Sequence, residues 1–123
     1  MELNDLNDFF NLEYKFFRKT DSFQLIEQKC TKKCLTQDER QALNSDIHYA
    51  FEKLIKTIKE ACPNLTEEDV IFCCLEKSGL DHLTVCHCMG SASKEIIKQR
   101  KYRIKKKMKE AGCEKLFDMI FTT

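Results

Sequence analysis

The chain has 123 residues, of which 42% are hydrophobic and 33% are charged, and its net charge is +1. This size supports one domain with or without a helical extension, and the composition excludes a chain that is disordered throughout. Only one Pro and three Gly are present, and this scarcity of turn residues argues against a many-stranded β fold and predicts an all-α protein.

The first part of the chain predicts three helices. The earliest covers about Leu3–Arg18, where apolar side chains recur at helix-like spacing. Ser22 is predicted to cap a second, short helix. Thr36 and Glu39 form a capping box, in which the hydroxyl and the carboxylate each accept a hydrogen bond from a free backbone N–H. This box opens the most regular helix of the chain.

That third helix carries one apolar stripe and ends at Pro63. The stripe consists of Ile47, Ala50, Phe51, Leu54, Ile55, Ile58 and Ala61. The polar triplet at 44–46 is a point at which the helix could divide in two. We interpret residues 1–62 as a helical N-terminal extension that serves packing or dimerisation.

The second part of the chain, residues 63–123, has shorter helices with clearer boundaries. A helix capped at 65–69 runs to about Lys77, and a short helix spans about Asp81–Met89. A tight Gly/Ser turn ends at Ser93, which is predicted to cap a basic helix that runs to about Lys109. A short helix, a turn and a longer basic helix are the layout of a helix-turn-helix.

Positive charge is concentrated in the basic helix. Between Lys94 and Lys109 there are nine basic residues and one acid, so this segment carries +8 and the rest of the chain −7. At about 100° per residue, Ile97, Ile104 and Met108 share a narrow arc that can pack on the core. Arg100 and Lys101 lie near the edge of that arc and are expected to reach towards the backbone or towards acids of the body.

The opposite face of the basic helix combines an amide, a phenol, basic groups and an acid. Such a mixture suits contacts with base edges and phosphates in a major groove of double-stranded DNA. The residues predicted to contact DNA are Ser93, Lys94, Glu95, Lys98, Gln99, Lys101, Tyr102, Arg103, Lys105, Lys106 and Lys109.

Four stretches of the second part together resemble a known family. They read LTEED at 65–69, GL at 79–80, VCHCMG at 85–90 and IKQRKYRIKKKM at 97–108. They are similar to the LuxR/GerE-type helix-turn-helix DNA-binding domain, in the variant found at the C-terminus of many Bacteroidetes regulators. The match covers about residues 63–108. The chain departs from the family pattern at Thr84 and Cys86, where an acid and Ala are usual, and its turn is one residue longer.

The resemblance implies a four-helix module whose third helix enters the major groove, and a homodimer formed through the fourth helix. It also implies transcription regulation. We therefore expect a sequence-specific regulator without catalytic activity, metal or cofactor. Its acidic start is unlike a secretory signal, and the longest apolar run, Val70–Leu75, is too short for a membrane span. The expected location is cytoplasmic, in association with the nucleoid.

Eight cysteines allow other interpretations. In an intracellular protein we expect reduced, partly buried thiols rather than a disulfide scaffold. Cys30 and Cys34 have a spacing that zinc ligands use, as have His82 and Cys86. However, Cys86 is expected to face the core of the helix-turn-helix, so no metal site is predicted.

Two alternatives come from other functional classes. The aromatic first helix and the apolar stripe would suit a helical protein–protein interaction module. A sigma-factor region-four-like module would use the same helix-turn-helix and contact RNA polymerase. The basic helix could also bind RNA or an acidic protein.

The last predicted helix, Glu114–Phe121, is short and apolar. Its large side chains are Leu116, Phe117, Ile120 and Phe121, and a surface of this size must be covered. The N-terminal helices of the same chain or a second chain could cover it. We favour a homodimer here, because two DNA half-sites would strengthen modest single-site binding.

Overall fold

The computed structural model describes residues 3–91 and 93–121, and this part of the chain confirms the all-α prediction. It contains eight helices and no strand. The helices are α1 (Leu3–Phe17), α2 (Asp21–Lys29), α3 (Gln37–Ala50), α4 (Glu52–Ala61), α5 (Glu67–Lys77), α6 (His82–Cys88), α7 (Lys94–Glu110) and α8 (Glu114–Phe121). Over the described ranges, no helix is long and apolar enough to cross a membrane.

Side-chain oxygens fix the helix starts. At α3, Thr36 Oγ1 accepts from the Glu39 N–H and the Glu39 carboxylate accepts from the Thr36 N–H, which confirms the capping box. The prediction that Ser22 caps α2 is wrong. Thr20 caps it by accepting from the Phe23 N–H at 3.1 Å, and Ser22 is buried in the first turn. Thr20 stands three residues before this free N–H, which is the spacing that such a cap requires.

The helix predicted to run to Pro63 divides at Phe51 and not at 44–46. Phe51 leaves helical geometry, with φ −106° and ψ 39°, and its ring is buried against Phe10 and Phe17 of α1. Because Phe51 has no side-chain oxygen, Glu13 of α1 caps α4 instead. Its carboxylate accepts from the N–H groups of Lys53 and Leu54 at 2.8 and 3.1 Å. A contact with α1 therefore sets the position of the break.

One hydrophobic core runs through both parts of the chain. Helices α3 and α4 pack on α5, and α1 packs on α8. Polar contacts join the same parts: the Leu35 N–H donates to the His87 carbonyl at 3.1 Å, and Lys77 Nζ donates to the Met119 carbonyl at 2.9 Å. Residues 1–62 thus pack directly on the second part of the chain.

The apolar side of α8 is covered within the same chain. Leu116, Phe117 and Ile120 are buried, and α8 packs on α5, α7 and α1. The sequence favours a homodimer through α8 because the apolar side of this helix needs a cover. Since the same chain supplies that cover, a second chain is not needed for this purpose at α8. The homodimer itself stays a prediction.

Candidate nucleic-acid interface

Helices α6 and α7 pack on each other and are the two helices that the sequence predicts as a helix-turn-helix pair. Asp81 caps α6 by accepting from the Thr84 N–H at 2.8 Å. The turn begins at Gly90, whose φ of +77° lies in the left-handed region that favours glycine. A Cβ at this position would also lie 2.6 Å from Nη1 of Arg40. The backbone conformation therefore favours glycine here, whereas the guanidinium stands at the end of a flexible side chain and can move aside.

Ser91 and Ser93 make the hydrogen bonds that precede the start of α7. The prediction that Ser93 caps α7 is wrong, because its side chain makes no cap hydrogen bond. Instead, the Ser93 N–H donates to Ser91 Oγ at 3.1 Å. The Ser91 N–H in turn donates to the Cys86 carbonyl at 2.9 Å and closes the end of α6. Ser91 thus holds the turn from which α7 departs.

The inward face of α7 is the one that the sequence predicted. Ile97, Ile104 and Met108 are buried, and α7 packs on α6 and α8. Val85 and Cys86 of α6 are buried as well, whereas Met89 is only partly covered. These contacts determine which side of α7 faces solvent.

Two cations of α7 turn back towards acids at the start of α5. Arg100 Nη1 donates to Asp69 Oδ1 at 2.7 Å, and its Nη2 donates to Glu68 at 3.1 Å. Lys107 Nζ donates to the Asn64 carbonyl at 3.1 Å and lies 3.6 Å from Asp69. The expectation is confirmed for Arg100, which reaches acids of the body, whereas the ammonium of Lys101 lies over the Phe121 ring.

Asp69 is the centre of this polar contact. Burial alone would raise the pKa of Asp69, but hydrogen bonds from Thr66 and Arg100 outweigh it and hold the pKa below its ordinary value. The group is therefore a carboxylate at neutral pH and keeps its charge for Arg100 and Lys107.

The outward face of α7 carries most of the predicted DNA contacts. Tyr102 is 71% exposed, and its neighbours on this face are exposed too. The exposed members of the predicted set are Lys94, Glu95, Lys98, Gln99, Tyr102, Arg103, Lys105, Lys106 and Lys109. Ser93 and Lys101 are partly covered.

The exposed cations differ from Arg100 and Lys107 in their surroundings. No carboxylate among the described residues forms an ion pair with them. These six cations are Lys94, Lys98, Arg103, Lys105, Lys106 and Lys109. The result is a strip of positive charge that no carboxylate of residues 3–91 and 93–121 pairs with.

Aromatic rings of α8 lie beneath one edge of this strip. Lys101 Nζ lies 5.3 Å from the Phe121 ring centre, and Lys105 Nζ lies 5.7 Å from that of Phe117. Such cation–π contacts hold the ammonium groups in place without neutralising them. Together with Lys98 and Tyr102 they line a shallow groove of about 360 Å³ between α7 and α8. Sequence reasoning did not pair these residues, because no local spacing connects α7 with α8.

One exposed residue near the start of α7 is missing from the predicted set. Ile96 is 48% exposed and lies on the same edge of the helix as Arg103. Helical stepping from the buried Ile97 would have placed Ile96 outside the core. A solvent-facing isoleucine beside the polar residues predicted to contact DNA is suited to contact the methyl group of thymine.

The candidate zinc ligands do not converge. No group of three or more His, Cys, Asp or Glu side chains in the described ranges could hold a metal ion. The His87 ring is buried and its Nδ1 lies 2.6 Å from the Cys30 carbonyl. His82 is exposed, with Nδ1 4.0 Å from Glu76. Cys86 is buried as expected, and its thiol faces the Ser93 carbonyl.

Comparisons of the chain with protein-family models, with curated proteins and with solved structures each find no match. The LuxR/GerE resemblance therefore stays a prediction that is based on the residues quoted above.

Proposed function

We propose that this protein is a sequence-specific DNA-binding transcriptional regulator that inserts α7 into the major groove. The observation that carries the proposal is how the charges of α7 are distributed. The cations on the inner side, Arg100 and Lys107, pair with Asp69, whereas the six on the outer side have no acidic partner among the described residues. A strip of uncompensated cations on an exposed helix is suited to a polyanion.

The N-terminal half of the exposed face has the chemistry of base reading. Gln99 can donate to and accept from adenine, and Arg103 can donate two hydrogen bonds to guanine. Glu95 can accept from the cytosine amino group, and Ile96 can contact a thymine methyl. In helix-turn-helix proteins the first turns of the second helix approach the base edges most closely, which is where Glu95, Ile96 and Gln99 lie.

The remaining cations suit contacts with phosphates. Lys105, Lys106 and Lys109 follow the base-reading residues towards the end of α7. Phosphate contacts position the protein on the duplex but carry little sequence information. The groove between α7 and α8 would extend this contact along one DNA strand, because its lysines, Lys98, Lys101 and Lys105, belong to α7 as well.

The same basic surface could in principle meet RNA. An α-helix fits the wide major groove of B-form DNA but not the deep, narrow major groove of an RNA duplex. The helical shape of the charged element thus favours duplex DNA. Contact with RNA polymerase and association with the nucleoid stay predictions.

Fluorescence anisotropy with a duplex, a single strand and an RNA duplex of the same sequence tests this proposal. If about six basic side chains of this surface meet phosphates, log Kd for the DNA duplex should change with log salt with a slope of magnitude about 5. Lys106→Gln should reduce that magnitude by about 1, whereas Lys56→Gln on the exposed side of α4 should leave it unchanged. A slope near zero, or equal effects of the two variants, would contradict the proposal.

A further inference from the structure

Helix α1 presents large apolar side chains to solvent. Phe16 is 62% exposed and Leu12 is 55% exposed, although both belong to a helix that also contributes to the core. Phe9, one turn earlier, is partly exposed, with Lys53 Nζ 4.7 Å from its ring centre. Scattered single apolar residues are ordinary on a protein surface, but three on one helix face form a patch.

These three residues form one line along α1. At about 100° per residue, Phe9, Leu12 and Phe16 fall within an arc of about 60°. The buried residues Leu6 and Phe17 lie on another side of the helix. The exposed line is therefore a second apolar face, separate from the one that packs on Phe51 and the rest of the core.

Charged residues stand at the two ends of this line with opposite signs. Asp5 and Asp8 are exposed near its start, and Lys15, Arg18 and Lys19 are exposed at its end. None of the five forms an ion pair with another described residue. This order also suits the helix dipole, which favours acids early and bases late. The dipole does not, however, account for the exposed Leu12 and Phe16.

We propose that two copies of this chain pair through this face of α1, with the two helices antiparallel. With a rise of about 1.5 Å per residue, a two-fold axis beside Leu12 brings Asp8 of one copy close to Lys15 of the other. Both residues lie on the same edge of the apolar line. An antiparallel pair therefore forms two equivalent contacts, in which Asp8 of each copy meets Lys15 of the other. Leu12 then meets its own equivalent, and the rings at 9 and 16 pack between the copies.

The surface is complementary to itself only in this orientation. In a parallel pair the two-fold axis runs along the helices, so the edge that carries Asp8 and Lys15 faces the opposite edge of the partner helix and the two charges do not meet. An isologous contact of this kind is the commonest way for a soluble protein to form a homodimer. The proposal is independent of DNA binding, because it uses no residue of α7.

Sedimentation equilibrium over a wide concentration range tests the pairing. The wild type should show a monomer–dimer equilibrium. Asp8→Lys and Lys15→Asp should each raise the dimer Kd by about tenfold or more, because each creates two like-charge contacts. The double variant should return towards the wild-type Kd. Leu12→Gln should also weaken the dimer, and Lys106→Asp on α7 should leave it unchanged.

Circular dichroism checks that each variant is folded, which is expected because the substituted positions are exposed. A wild type that remains monomeric at high micromolar concentration would overturn the proposal. So would a dimer that is insensitive to Asp8→Lys, or a folded double variant that fails to regain pairing. Loss of DNA binding in Lys106→Asp with an intact dimer would show that the two activities are separate.

Discussion

Asp69 binds Arg100 with one carboxylate oxygen and caps its own helix with the other. Oδ1 accepts from Arg100 Nη1 at 2.7 Å, and Oδ2 accepts from the Thr66 N–H at 3.1 Å. The first turn of α5 and the middle of α7 are thereby joined by one side chain. This link adds to the packing of Ile97, Ile104 and Met108 in holding the rotation of α7 about its axis.

Removing either Asp69 or Arg100 should destabilise the protein. We expect Arg100→Gln to lower the free energy of unfolding by about 2–4 kcal/mol, since it leaves the largely buried Asp69 without its closest cation. Arg103→Gln, on the exposed face of the same helix, should change it by less than about 0.5 kcal/mol. Urea unfolding of both variants measures the difference. Equal and small effects would show that the ion pair does not hold α7.

The same carboxylate predicts a pH dependence. Because the pKa of Asp69 in the folded protein is below its ordinary value, its contribution is complete at neutral pH. That contribution is lost as the pH falls through the lower, folded-state pKa. The stability difference between wild type and Asp69→Asn should therefore be largest near pH 7 and narrow as the pH falls below about 4. Urea unfolding of both proteins across this range is the measurement, and a constant difference would contradict the assignment.

Glu13 gives a prediction for the break between α3 and α4. Its carboxylate supplies the cap that Phe51 cannot, so Glu13→Ala should destabilise the protein by about 1 kcal/mol. Glu27→Ala on the exposed side of α2 serves as the matched control, with little expected change. Thermal unfolding of the two variants compares them directly. A loss in Glu27→Ala as large as that in Glu13→Ala would remove the capping role.

Local sequence rules predicted the parts of the fold that depend on local chemistry. Capping boxes at Thr36 and Thr66 start α3 and α5 because their partners stand three residues away. Such rules did not predict the break at Phe51. It depends on Phe10 and Phe17 as ring partners and on Glu13 as a cap, all of which are distant in sequence.

In the candidate site, too, features that depend on local sequence were predicted and contacts between different helices were not. Helical stepping separated the buried Ile97 and Ile104 from the exposed Lys98 and Gln99 correctly. It could not identify Asp69 as the partner of Arg100, nor the Phe121 ring next to Lys101, because those contacts join different helices.

Phe117 distinguishes a core role from an interface role. Its side chain is buried within one chain, with its ring centre 4.5 Å from that of Phe121. We expect Phe117→Ala to lower the free energy of unfolding by about 3 kcal/mol at any protein concentration. At low micromolar concentration, Phe16→Ala on the exposed face of α1 should lower the free energy of unfolding by less than about 0.5 kcal/mol. A Phe117 variant that loses only self-association, with unchanged monomer stability, would show that α8 is a dimer surface instead.

Selection of bound sequences from a pool of random DNA duplexes tests the central claim most directly, namely that the exposed face of α7 reads base sequence. The wild-type protein should enrich a defined motif. Gln99→Ala should relax the preference at one or two positions of that motif, whereas Lys106→Gln should weaken binding to all sequences alike. A pool that shows no enrichment, or a motif that is unchanged by Gln99→Ala and Arg103→Ala together, would contradict the account.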